Sequence, residues 1–217
     1  MRNSDQSSLR STRLILVTPP IDEPATVADL LASTLSVGDI AAVIARFAPA
    51  AEAELSARAR AFQPLVQERN AAFLLYDQAK LAVSIGVDGA HLSGVEIFRD
   101  GAPLLKPGLI AGAGGLATKH DAMLAGEQGA DYVMFGEPNA GGKRPSLESI
   151  LERVGWWADI FQIPCVAYAV TLDEVSAFAG AGADFIALAE SCWCDPSLVK
   201  TAVAEAFARI SARERVG

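Results

Sequence analysis

Apolar positions in this chain fall into short blocks separated by amphipathic or polar stretches, and the two alternate along its length. Leu14-Ile-Leu-Val-Thr18, closed by Pro19-Pro20, reads as a first strand and its loop. Ala25 to Leu35 carries apolar residues at helical spacing, and Asp39 to Arg46 supplies a second strand. Ala50 to Gln67 predicts a long amphipathic helix with Glu52, Glu54, Arg58 and Arg60 on its wet face. Ala71 to Tyr76 is the third strand, followed by a short helix over Gln78 to Ile85 and a fourth strand over Gly89 to Leu92. Ser93 to Pro107 reads as a charged, irregular segment with a turn at Asp100-Gly101. Leu109 to Ala113 is strand five, and Thr118 caps a helix ending at Gly129. Tyr132 to Phe135 is strand six, and Ser146 to Phe161 a helix. Cys165 to Val170 is strand seven, with Thr171 capping a helix over Leu172 to Ala181. Phe185 to Ala189 is strand eight, and Pro196 opens the last helix.

One junction recurs three times: Gly86-Val-Asp88, Gly129-Ala-Asp131 and Gly182-Ala-Asp184, each leading into an apolar run. A Gly ends a helix in the left-handed conformation, Asp favours the turn, and the run suits a strand buried on both faces. Eight strands alternating with about eight helices in 217 residues predict an α/β fold, a single-domain (β/α)8 TIM barrel. An open, doubly wound sheet is the alternative, but the first strand lacks a Gly-rich nucleotide turn. The barrel domain is expected over 14–217, after a loose, charged and Ser-rich tail over 1–13 that has no apolar core of a signal peptide.

Composition narrows the classes. A hydrophobic fraction of 51% suits a sizeable core, and a net charge of -8 argues against a nucleic-acid partner. No apolar run reaches the roughly 18 residues of a membrane span, so no membrane role is expected and the default location is cytoplasmic. Cys165, Cys192 and Cys194 are an odd number and form no framework of bridges. Cys192-x-Cys194 lacks a second pair of soft ligands, so a structural role is expected there. The adjacent Trp156 and Trp157 point in different directions from one helix, which suggests a homodimer contact.

In a barrel of this kind the working residues lie at the C-terminal ends of the strands. That rule nominates Arg46, Asp77, His91 with Glu96, Gly114-Gly115, Lys143, Tyr168 and Glu190. Asp77 and Glu96 follow neighbouring strands and suit one Mg²⁺ shared with a phosphate or diphosphate. The plainer alternative makes Asp77 a helix cap and Glu96 a solvated loop acid. Lys143, beside Arg144, suits a point charge on that phosphate. His91 at the end of an apolar strand suits a structural histidine, and His120 suits the surface.

The chain resembles the thiamine phosphate synthase family and its thiazole tautomerase branch over about Arg46 to Cys192. The resemblance is carried by Leu75-Tyr-Asp77, Val87-Asp-Gly-Ala-His-Leu92, Gly129-Ala-Asp-Tyr-Val-Met-Phe-Gly136 with Lys143 beyond it, and Ile163-Pro-Cys-Val-Ala167. It implies a barrel that joins hydroxymethylpyrimidine diphosphate to a thiazole phosphate with Mg²⁺, releasing diphosphate. It further implies catalytic roles for Arg46 and Lys143 on the diphosphate and metal-ligand roles for Asp77 and Glu96. Tyr76, His91, Gly115, Tyr168 and Glu190 fall on substrate-binding positions. Ile44, Ala48, Tyr76 and Gly115 stand where the family has Gln, Lys, Asn and Ser. Tyr168-Ala-Val170 and Glu190 replace the Gly-Gly and Ser of its thiazole-phosphate cradle. The tautomerase His would fall on Ala117. These departures leave two other uses open: a repurposed barrel binding a small phosphorylated ligand or a pathway partner, and an isomerase with Glu190 or His120 as acid–base group.

Overall fold

In a computed structural model, residues 11–139, 141–193, 195 and 198–214 are described. They form a closed barrel of eight parallel strands in the order β1-β2-β3-β4-β5-β6-β7-β8. The strands are β1 Arg13–Ile21, β2 Ile40–Phe47, β3 Ala72–Tyr76, β4 Gly89–Ser93, β5 Ile110–Gly114, β6 Tyr132–Phe135, β7 Cys165–Ala169 and β8 Phe185–Leu188. Among the described residues, the helices outside it are α1 Pro24–Leu35, α2 Glu52–Gln67, α3 Ala79–Ile85, α4 Val95–Leu105, α5 Lys119–Glu127, α6 Leu147–Ile160, α7 Asp173–Gly180, the short α8 Glu190–Trp193, and α9 Val199–Glu214.

Strand alternation sorts the core into two layers. Leu14, Leu16, Val43, Phe73, Leu75, Phe135 and Ala167 face outward and pack with Leu31, Phe62, Phe98 and Trp157 from the helices. Ile15, Val17, Ile44, Leu74, Tyr132, Met134, Val166 and Tyr168 fill the barrel itself. The same alternation brings Arg46, Tyr76 and His91 to the inner side, as the next inward positions on β2, β3 and β4.

The repeated Gly-x-Asp junction is a strand-to-strand tie. Gly86, Gly129 and Gly182 turn the chain with φ of 73°, 88° and 93°. Each Asp then accepts a hydrogen bond from the first residues of the preceding strand: Asp88 from Phe73 N–H at 2.7 Å, Asp131 from Ala111 N–H at 2.7 Å, Asp184 from Cys165 N–H at 2.9 Å. The barrel's N-terminal rim is thus closed at alternate strands by carboxylates that satisfy amides with no ladder partner.

Several sequence expectations are corrected. The segment 93–107 is not irregular: it contains helix α4, whose Phe98, Gly101, Ala102 and Leu105 form its buried face. Gly101 is there because a side chain would collide with Leu92, so the supposed turn residue is a helix–strand contact. Strand β1 runs on through Pro19-Pro20 with a shift in register between Val17 and Pro20. Leu172, not Thr171, occupies the cap position of α7, and no side chain bonds there. Helix α8 had no counterpart in the sequence reading. Thr118 caps α5 as expected and forms a full capping box with Asp121.

Residues 1–10, Cys194 and Pro196 lie outside the described residues; Thr12 and Arg13 are held by Ala183 O and Asp39. Cys165 and Cys192 are buried free thiols, pushed up to about 12 and about 11 by burial. The two tryptophans make contacts within the chain. Trp157 is fully buried and stacks on Phe161 at 4.0 Å, while Trp156 lies under the Lys119 ammonium, 4.9 Å from its ring centre. Among the described residues, no helix is long and apolar enough to cross a membrane.

Candidate active site

The C-terminal rim of the barrel carries a ring of polar and aromatic groups. Arg46 leaves β2 and donates to Glu190 at 3.0 Å, while its guanidinium carbon lies 5.3 Å from the centre of the Tyr76 ring. Glu190, the first residue of α8, therefore points across the mouth. Tyr168 at the end of β7 is buried, and burial together with the charges of Glu137 and Glu190 pushes its phenol up to about 12. Tyr76 is likewise pushed to about 12, by burial first and then by Glu137. Both rings stay neutral in ordinary buffers, and the Tyr76 ring presents its face to the Arg46 guanidinium.

Asp77 adopts φ 54°, a left-handed conformation that Asp tolerates, and its Oδ1 accepts from Ser93 N–H at 2.7 Å. It does not cap α3, where Gln78 holds the cap position without a side-chain bond. Burial raises its carboxyl above the usual range, against the lowering effect of the Ser93 bond. A half-buried carboxylate with one anchored oxygen fits a cation whose other ligands come from substrate and water. Glu96, by contrast, has a side chain 73% exposed on the first turn of α4 and pairs with Arg99. Among the described residues, no group of three or more His, Cys, Asp and Glu is arranged for a metal.

Beneath this ring lies a buried polar file that the sequence reading missed. Glu137, just after β6, has a side chain only 5% exposed, and His91 is fully buried. His91 Nε2 lies 3.2 and 3.1 Å from the two Glu137 oxygens, and Nδ1 lies 2.8 Å from the Tyr132 hydroxyl. A carboxylate only accepts, so Nε2 carries a proton and donates to Glu137, while Nδ1 is paired with the Tyr132 hydroxyl. Gly115 N–H donates to Glu137 Oε2 at 2.8 Å. Burial works to raise the Glu137 carboxyl, but the His91 ring and the Gly115 N–H outweigh it and hold it below the usual range. The glycines of β5 make room for this file. A side chain at Gly112 would strike the Tyr132 ring, and one at Gly114 would strike Glu137 and His91. Gly115 thus serves the site through its backbone, and its N–H is already engaged.

Strand alternation could not reveal Glu137, because Gly136 has φ 101° and turns the chain after β6. The strand-end rule alone would have nominated it, since it follows β6 as closely as Lys143 does not. Lys143 sits further along, in a turn organised by Asn139, whose side-chain oxygen accepts from Gly141 N–H and Lys143 N–H at 3.0 Å each. It is exposed and lines a cavity of about 490 Å³ together with Glu137, Gly115, Asn139, Arg144 and Arg153. Arg144 is committed elsewhere. It grips both Glu174 oxygens at 2.7 and 3.0 Å and donates to the carbonyls of Gly136 and Tyr168. Glu174 in turn accepts from Val170 N–H at 2.9 Å, which fills the turn after β7 with a carboxylate. His120 is exposed, as expected.

The comparisons with known proteins agree with this architecture. The family model described as thiamine monophosphate synthase matches residues 14–192. A thiamine-phosphate synthase of Rhodospirillum centenum is 36% identical over 197 residues, covering 89% of this chain and 95% of that protein. One of Hyphomonas neptunium is 35% identical over 194 residues, covering 84% and 86%. In fold, the chain is similar to thiamine phosphate pyrophosphorylase from Pyrococcus furiosus, with a TM-score of 0.74, 22% identity, and coverage of 94% of this chain and 98% of that one. With its closed eight-stranded barrel and a family match spanning nearly all of that barrel, the chain belongs to the thiamine monophosphate synthase family.

Proposed function

We propose that this protein is a thiamine-phosphate synthase, a transferase of thiamine biosynthesis that couples hydroxymethylpyrimidine diphosphate to thiazole phosphate and releases diphosphate. The observation that carries the reading is identity above one-third with named synthases over almost the whole of both chains. The rim supplies what the reaction needs. Departure of diphosphate leaves a pyrimidine cation that the thiazole nitrogen captures, so the protein must hold two reactants and favour separated charge. Lys143 and Arg46 would neutralise the leaving group; Arg46 is held between Glu190 and the Tyr76 ring. Tyr76, Tyr168 and Glu190 would contact the substrates. Asp77 would hold Mg²⁺, which when bound supplies positive charge to the diphosphate oxygens; Glu96, turned out to Arg99, does not fit as the second carboxylate. A cytoplasmic setting goes with this reading, since reduced thiols such as Cys165 and Cys192 are the norm there.

Neither a repurposed barrel nor an isomerase gains support: the relatives carry the synthase name, and Glu190 is tied to Arg46. Lys143→Ala is expected to lower turnover by about 10²-fold or more, the scale of losing one preorganised charge on a leaving group, with the melting temperature unchanged. Wild-type rates in Lys143→Ala and Asp77→Ala alike would remove the reading.

A further inference from the structure

Glu137 is a nearly buried carboxylate with no Lys or Arg within 4.0 Å among the described residues; its partners are the His91 ring and the Gly115 N–H. An ionised carboxylate offers about four acceptor positions, and here two N–H groups serve both oxygens. Oε1 receives only the longer arm of the shared His91 contact, at 3.2 Å. The same side chain lines the 490 Å³ cavity that Lys143 borders. Two glycines of β5 and a buried Tyr–His pair are given over to holding this one carboxylate in place. At the mouth, Ile44 and Gly115 offer no polar side chain. A site that takes an amino-substituted ring still needs an acceptor for its N–H, and Glu137 is the buried one that has capacity left.

We propose that Glu137 is a further substrate-binding and catalytic residue: Oε1 accepts a hydrogen bond from the exocyclic amino group of the pyrimidine, with His91 and Tyr132 as positioning residues. This rests on the synthase reading. The carbon–oxygen bond to diphosphate breaks, and its electron pair leaves with the diphosphate. The resulting cation is shared between the methylene carbon and the conjugated amino nitrogen. The thiazole nitrogen lone pair then forms the carbon–nitrogen bond, and no proton changes place. Because positive charge grows on the amino group only as the bond breaks, its hydrogen bond to a fixed carboxylate is stronger in the transition state than in the ground state. Such an interaction raises kcat more than it lowers KM.

The test is diphosphate release by wild type and Glu137→Gln, each with the aminopyrimidine diphosphate and with its analogue bearing hydrogen in place of the amino group. Glu137→Gln is expected to lose about 10²-fold in kcat on the amino substrate with KM changed only a few-fold. On the deamino analogue the two proteins are expected to turn over at the same rate. Loss by one common factor on both substrates, or no loss on either, overturns the proposal and leaves the synthase reading standing. No release by wild type from the amino substrate overturns both. Should Glu137→Gln fail to fold, calorimetry on wild type decides: hydroxymethylpyrimidine with its amino group is expected to bind at least about 10-fold tighter than the deamino form. Equal binding overturns the proposal.

Discussion

Two carboxylates of the mouth, Asp77 and Glu137, are set in opposite directions. Burial raises Asp77, so the folded protein holds that proton more tightly than the unfolded chain, and ionising Asp77 costs stability as pH rises through its range. Asn has no such cost, keeps an acceptor for Ser93 N–H and tolerates φ 54°. Asp77→Asn is therefore expected to melt at or above the wild-type temperature at neutral pH while losing turnover, read by thermal denaturation beside an activity assay. A clear drop in melting temperature would contradict this account of the residue. Glu137 is lowered, so its contribution is complete above its usual value of 4.5 and is lost as pH falls through the lower folded value. The stability gap between wild type and Glu137→Gln is expected to close in that acid range, and a gap that widens there would contradict the assignment. The strand-end rule nominated Asp77, Arg46, Tyr168 and Glu190 because alternation and the barrel's polarity fix where strand-terminal side chains go. Alternation left Glu137 unread because a positive-φ glycine, not strand parity, aims that side chain.

At the scale of elements, the Gly-x-Asp junctions show how much a short motif can say. The sequence identified them as helix-to-strand turns. What it did not disclose is that each Asp reaches sideways to an amide of the preceding strand, a contact between segments 15 to 20 residues apart. Asp184→Ala would leave Cys165 N–H without that acceptor at a fully buried position. The expected cost is about 1–3 kcal/mol, measured by denaturant unfolding. A cost near zero would mean the rim is not held by these ties. Helix α4 is the counter-example. Its apolar positions have helical spacing, but Asp100-Gly101 and Pro103 are turn formers by local chemistry, and only the contact of Gly101 with Leu92 explains their place in a helix.

Across the whole molecule, alternating apolar blocks sufficed to specify the barrel, since eight buried strands with amphipathic connections have few other ways to hide both faces of a parallel sheet. The mouth was less legible, because its organisation depends on pairs far apart in sequence. Arg144 and Glu174 are an example. Their bidentate pair joins the loop after β6, the end of β7 and the start of α7. Both side chains are mostly buried, so Glu174→Gln, which leaves Arg144 without its counter-charge, is expected to cost about 3–5 kcal/mol in equilibrium unfolding. The same pair occupies the turn where the family resemblance implies a cradle for thiazole phosphate, so synthase chemistry at this turn is the central claim. The measurement that tests it is diphosphate release by the purified wild-type protein with hydroxymethylpyrimidine diphosphate, thiazole phosphate and Mg²⁺. Release that requires both substrates and yields thiamine phosphate is the predicted result. No release from a fully folded protein would contradict the assignment of this barrel as a synthase.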